Sequence, residues 1–184
     1  MNKAKFFLIT GIAAFMLYAT KLFSANKSNC KNIIIGDSHA VMIGSKLKNV
    51  TVENKLAHSG WFVSNVINAL IDYPVTTNVC KVFISLGTNG QFSKNDNIES
   101  LMTKLVIKFP NAQFYVFKGS YGWSGKYENV NAKSDIAPYY QRFSYTGATI
   151  LNNGLGYFAT DAKAHSTNSP QALAIINEIN TYTK

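Results

Sequence analysis

Several chemistries leave no trace in this chain. It has no Gly-rich phosphate loop, so nothing in it cradles a nucleotide in that manner. His39 and His58 lack partners at metal-ligand spacing, and neither a metal nor a cofactor is expected. Acidic residues are scarce, nine against eighteen Lys and Arg, which gives a net charge of +9. The lysines are nevertheless scattered. There is no dense basic run and no aromatic-interleaved basic patch of the kind that tracks a phosphate backbone, so nucleic acid is not an expected partner. Internal repeats and low-complexity tracts are also absent, and 184 residues suffice for one domain with a real core.

What is present begins with a leader. Lys3 and Lys5 precede an uncharged apolar run over residues 6–20, and Lys21 and the small residues Ser24-Ala25 follow. This order describes a secretory signal peptide, with residues 1–25 as its extent. The run is short for a bilayer span of about 20 residues. Cleavage after Ala25 would put the bulky Phe23 at the −3 position, so an uncleaved anchor is the alternative. The expected location is outside the cytoplasm, either secreted or periplasmic, with attachment to the membrane if the leader stays. Three of the positive charges belong to the leader, which leaves +6 on residues 26–184. Such a surface suits acidic glycans or an anionic envelope, or is simply solvated.

The two cysteines, Cys30 and Cys80, each stand just before an apolar, strand-like run. If those strands are parallel neighbours, the cysteines lie level at one end of the sheet, where an exported protein can join them. Closing a loop of about 50 residues would contribute on the order of 4 kcal/mol in the chain-entropy model. Two buried thiols are the alternative.

Beyond the leader, strand-like and helix-like segments alternate. Strands are expected over residues 32–35, 50–56, 82–86 and 113–117, with a short fifth near 149–151. Helices are expected over 41–47 and 61–71. Another is opened by Asp96 with Glu99 as its capping-box partner, and a last one by Ser169 as N-cap with Pro170 behind it. This alternation predicts an α/β/α sandwich around a mostly parallel sheet of about five strands. Residues 119–150, rich in glycine, aromatics and polar groups, read as a long surface insertion bordering the site. Its Tyr121, Trp123, Tyr127, Tyr139 and Tyr140 would suit a sugar platform, although aromatics also build cores.

Ligands of open α/β sheets bind beyond the carboxyl ends of the strands. Those ends carry Asp37-Ser38-His39, His58-Ser59-Gly60 and Gly87-Thr88-Asn89-Gly90, and Asp161 and His165 precede the last helix. Acyl transfer by serine needs a base, a group to orient that base, and donors for the oxyanion. Ser38 is the serine at a strand-to-helix turn of the right type. His165 and Asp161 can act as base and orienting acid, while Gly60 offers a backbone N–H and Asn89 an amide. For Gly36-Asp37-Ser38-His39 alone, a turn in which Asp37 or Ser38 merely caps the helix is the plainer reading.

This order of residues resembles the SGNH (GDSL-like) hydrolase family over about residues 32–182. Gly36-Asp37-Ser38 matches the first block, Gly60 the second, and Gly87-Thr88-Asn89 the third. His165-Ser166-Thr167 matches the last. His39 stands where leucine is common, Gly90 replaces the usual aspartate, and Asp161 lies one residue further from the histidine than the family's acid. The resemblance implies a flavodoxin-like fold and an esterase acting on short acyl esters of a glycan, or on a lipid. Ser38 would be nucleophile, His165 base and Asp161 acid. The oxyanion hole would be Ser38 N–H, Gly60 N–H and Asn89. His39, His58, Trp61 and Gly90 are the residues expected near substrate. A non-catalytic glycan-binding module and an O-acyltransferase are the competing functions.

Overall fold

The run Ile33-Ile34-Ile35 forms a strand buried on both faces, the environment a central parallel strand requires. In the computed structural model this strand, β1 (Lys31–Gly36), lies between β2 (Thr51–Ala57) and β3 (Val79–Ser85). The strands β4 (Gln113–Val116) and β5 (Thr149–Ile150) continue the sheet beyond β3. All pairings are parallel and the spatial order is β2-β1-β3-β4-β5, the flavodoxin-like arrangement. The structure describes residues 30–119, 130–151 and 167–184. The leader, Tyr121, Trp123, Tyr127, Asp161 and His165 lie outside the described residues.

Helices cover both faces. On one side pack α2 (Val63–Ala69), α3 (Ile98–Lys108) and α4 (Val130–Tyr145), against Ile33, Ile35, Val82, Ile84 and Val116. On the other pack α1 (Ser38–Gly44) and α5 (Pro170–Tyr182), against Ile34, Phe83, Tyr115 and Phe117. Alternation along β1, β3 and β4 sends neighbouring residues to opposite cores, which is why Ile33–Ile35 and Val82–Ile84 read as unbroken apolar runs, whereas the edge strand β2 is mixed. The fold is a three-layer α/β/α sandwich.

Three local expectations are corrected. Residues 130–151 are no surface insertion. They form α4 and β5, and Ile136, Tyr139, Tyr140 and Phe143 enter the core. Tyr139 and Tyr140 are therefore buried and offer no sugar platform. The N-cap of α3 is Asn97, whose Oδ1 accepts from Ser100 N–H, because the Asp96 carboxylate is taken by Tyr139 and Glu99 by Arg142. Cys80 is the second residue of β3, at a point where the pairing steps from Lys31–Val79 to Asn32–Lys81. The two strands are parallel neighbours, and Cys30 and Cys80 form a disulfide. At the last helix the sequence reading stands: Ser169 Oγ accepts from Ala172 N–H, and Pro170 follows.

Two glycines at strand ends make a testable pair. A Cβ on Gly36 would come within 1.9 Å of Ser85 O, at φ +129°. A Cβ on Gly60 would meet nothing within 4 Å, at φ +80°. Gly60→Ala should cost only the left-handed backbone penalty of about 1–2 kcal/mol. Gly36→Ala adds a backbone collision and should cost more than about 4 kcal/mol, leaving little folded protein. Urea melts of the two variants check this ordering.

Candidate active site

Gly36 lets β1 end in contact with β3. Asp37 N–H then donates to Ser85 O at 2.9 Å, which fixes the first residue beyond the strand. The Asp37 side chain is fully buried and turned inward. Its Oδ1 accepts from His39 N–H at 3.0 Å and from Ser85 Oγ at 3.1 Å. Asp37 is thus the cap of α1, and Ser38 is released from that duty. Ser38 becomes the first helical residue, 7% exposed, and among the described residues nothing accepts from its N–H.

The end of β2 is tied to the same turn, because His58 N–H donates to Gly36 O at 3.0 Å. Gly60 follows in an exposed left-handed turn. Trp61 lies against the exposed His58 ring with 4.4 Å between centroids. The Trp61 carbonyl accepts from Asn89 Nδ2 at 3.0 Å, joining the loop after β3 to the loop after β2. A carboxamide carries two N–H donors, so Asn89 retains one beyond that bond.

The loop that carries Asn89 is strained. Gly87 has φ +115°, and a Cβ there would approach Tyr139 to 2.7 Å and Phe92 to 2.9 Å. Gln91 and Phe92 are both left-handed, at φ 51° and 54°. Each costs about 1–2 kcal/mol relative to a right-handed residue. The shape is closed by Gln91 N–H to Thr88 O at 3.1 Å and Phe92 N–H to Gly87 O at 2.8 Å. Phe92 is buried and meets Tyr139 edge-on at 5.6 Å.

Under these turns runs a buried polar layer of Asp37, His39, Ser85 and Thr88. His39 Nδ1 stands 3.5 Å from Asp37 Oδ1, an ion pair only when the imidazole is protonated. Gly119, beyond β4, closes the layer. A Cβ there would come within 2.6 Å of Thr88 Oγ1, and its N–H donates to Tyr140 Oη at 3.1 Å.

Of the expected site residues, the structure gathers Ser38, Gly60 and Asn89 on adjacent strand ends, with His58 and Trp61 beside them. His39 is only 1% exposed, so of its two readings, packing on α1 holds and lining a substrate pocket is corrected. Asp161 and His165 are not among the described residues. A cleft of about 240 Å³ lies elsewhere, between α4 and β5, lined by Lys118, Ile136, Tyr140 and Ile150 among others. It contains none of the expected catalytic residues, and burial within that region pulls the Lys118 ammonium below its ordinary pKa.

Sequence reasoning missed the group behind the Asn89 loop. Tyr139 Oη donates to Asp96 Oδ2 at 2.9 Å. Arg142 donates to Asp96 O at 2.6 Å and pairs with both oxygens of Glu99, at 3.0 and 2.7 Å. Burial pushes the Tyr139 phenol well above its usual range, which keeps it a donor. Burial also raises Asp96, against the pull of Tyr139 and Arg142. The Asp96 carboxylate fills the space beside Gly90, where a Cβ would sit 3.3 Å from Oδ2.

No protein-family model matches the chain, and no curated protein matches it. Among solved structures, it is similar to a protein from Streptococcus pneumonia provisionally described as a platelet activating factor. The two share 14% identity over 100% of both chains, with a TM-score of 0.48. What this site can do follows from its own geometry.

Gly90→Asp should set a second carboxylate against Asp96. A carboxyl whose folded pKa is raised loses stability as pH rises from its ordinary range through the folded value. The variant should therefore be destabilised on the order of 1–3 kcal/mol at pH 7, and the deficit should shrink toward pH 4. Thermal melts of variant and wild type across that range provide the check.

Proposed function

We propose that this protein is an exported serine esterase of SGNH type, with Ser38 as nucleophile. The observation that carries the reading is the division of labour at the β1 turn. Asp37 caps α1, so the Ser38 N–H remains unengaged at the carboxyl end of the central strands. Gly60 and Asn89 rise on the neighbouring ends, linked by the Asn89 bond to Trp61 O. In this reading Ser38 N–H, Gly60 N–H and the second Asn89 Nδ2–H serve as the donors to one oxyanion.

The chemistry follows the serine template. Ser38 Oγ attacks the ester carbonyl while His165, oriented by Asp161, accepts the hydroxyl proton. The tetrahedral oxyanion rests on the three donors. Its collapse expels the alcohol, which takes the proton from His165, and an acyl-Ser38 remains. Water, deprotonated by His165, attacks the acyl carbonyl and releases the acid, and Ser38 recovers its proton. The parts assigned to His165 and Asp161 come from the family resemblance. The disulfide supports an oxidising compartment, in keeping with the leader. Short acyl esters, those of glycans included, are the proposed substrates, and His58 and Trp61 would border them.

Fluorophosphonate labelling tests the reading directly. Wild type should be labelled and should hydrolyse a short-chain nitrophenyl ester, and Ser38→Ala should do neither. Loss of the nucleophile costs up to ~10⁶ in kcat. Asn89→Ala should lose on the order of 10²–10³ in rate as an oxyanion donor. A wild type that binds oligosaccharide yet takes no label would be a glycan-binding module. Release of acylated sugar in the presence of an acceptor would identify an acyltransferase.

A further inference from the structure

We infer that Tyr139 and Asp96 are positioning residues for Asn89, and that α4 acts as a clamp holding the 87–92 loop in its working shape. The inference rests on the reading of Asn89 as an oxyanion donor.

Two consecutive left-handed non-glycine residues do not persist unless the surroundings over-determine them. Here the restraint comes from one helix. Phe92 lies edge-on against Tyr139, and Gly87 is pressed so closely to the same ring that only glycine fits. Further along, Tyr139 Oη holds the Asp96 side chain, and Arg142 holds the Lys94 and Asp96 carbonyls at 3.2 and 2.6 Å. Glu99 fixes the Arg142 guanidinium in turn. The segment from Gly87 to Asp96 is thus fastened at both ends to α4, with Asn89 between the fastenings. The bare Gly90 lets the Asp96 carboxylate stand directly beside the loop backbone. Tyr139 is buried and carries no group to the substrate side, so its effect must pass through the loop.

A double-mutant cycle tests this. Tyr139→Phe removes one hydroxyl and keeps the ring. It should lower kcat for a nitrophenyl ester between about tenfold and 100-fold, as for a donor misplaced by a remote change, with KM within about twofold. In an Asn89→Ala background the same substitution should have no further effect on kcat. Asp96→Ala should reproduce the loss, while Asp96→Asn, which keeps an acceptor for Tyr139, should retain most of the activity. An unchanged kcat in Tyr139→Phe overturns the proposal, as does an equal drop in the presence and absence of Asn89. Hydrogen exchange at the Gln91 and Phe92 amides separates this from the fate of the esterase reading. Faster exchange in Tyr139→Phe supports the clamp even if wild type shows no ester turnover, and unchanged exchange refutes the clamp whatever the activity.

Discussion

The approach of Gly36 to the Ser85 carbonyl is the contact on which the site is built. It brings the ends of β1 and β3 together more closely than any side chain at position 36 would permit. With the backbones in contact, Asp37 N–H reaches Ser85 O and the Asp37 side chain reaches Ser85 Oγ. Those two bonds turn the carboxylate inward, where it caps α1. Only then is Ser38 the first residue of a helix whose cap is already filled. The position of Ser38 is thus a consequence of a buried backbone contact.

A second layer of organisation comes from α4. The sheet places the strand ends, but strand ends do not fix loops. The loop after β3 adopts a conformation that its own residues resist, and it is held by Phe92 on Tyr139 and by the Asp96 pair. On the β2 side, Asn89 Nδ2 donates to Trp61 O. Aromatic packing on one side and one amide bond on the other thus determine where that amide stands.

Most of the architecture is legible in local patterns. The β-branched run Ile33-Ile34-Ile35, closed by Gly36, reads as a strand buried on both faces, and Ser169-Pro170 marks a helix start by chemistry confined to two residues. The strand-end residues Ser38, Gly60 and Asn89 were legible for the same reason. What escaped depends on contacts distant in sequence. Helix α4 carries Pro138 in its interior and aromatics that resemble surface decoration until Tyr139, Tyr140 and Phe143 are seen in the core. Asp96 satisfies every local rule for an N-cap, yet a tyrosine 43 residues away claims its carboxylate and the cap passes to Asn97. His39 admitted two readings, lining a pocket or packing on α1, and its burial decides for the second.

The two flanks of the site differ in their freedom to change over generations. Positions 36, 87 and 119 are hemmed in by a backbone carbonyl, aromatic rings and a threonine hydroxyl respectively, so a lineage carrying this fold can scarcely explore them. The β2 flank is different. Gly60 faces open space, Phe62 is 46% exposed, and His58 stands out in solvent. The side chains of His58 and Phe62 can therefore change with little effect on the packing around Ser38. A conservative half and an adaptable half sit side by side within one small site.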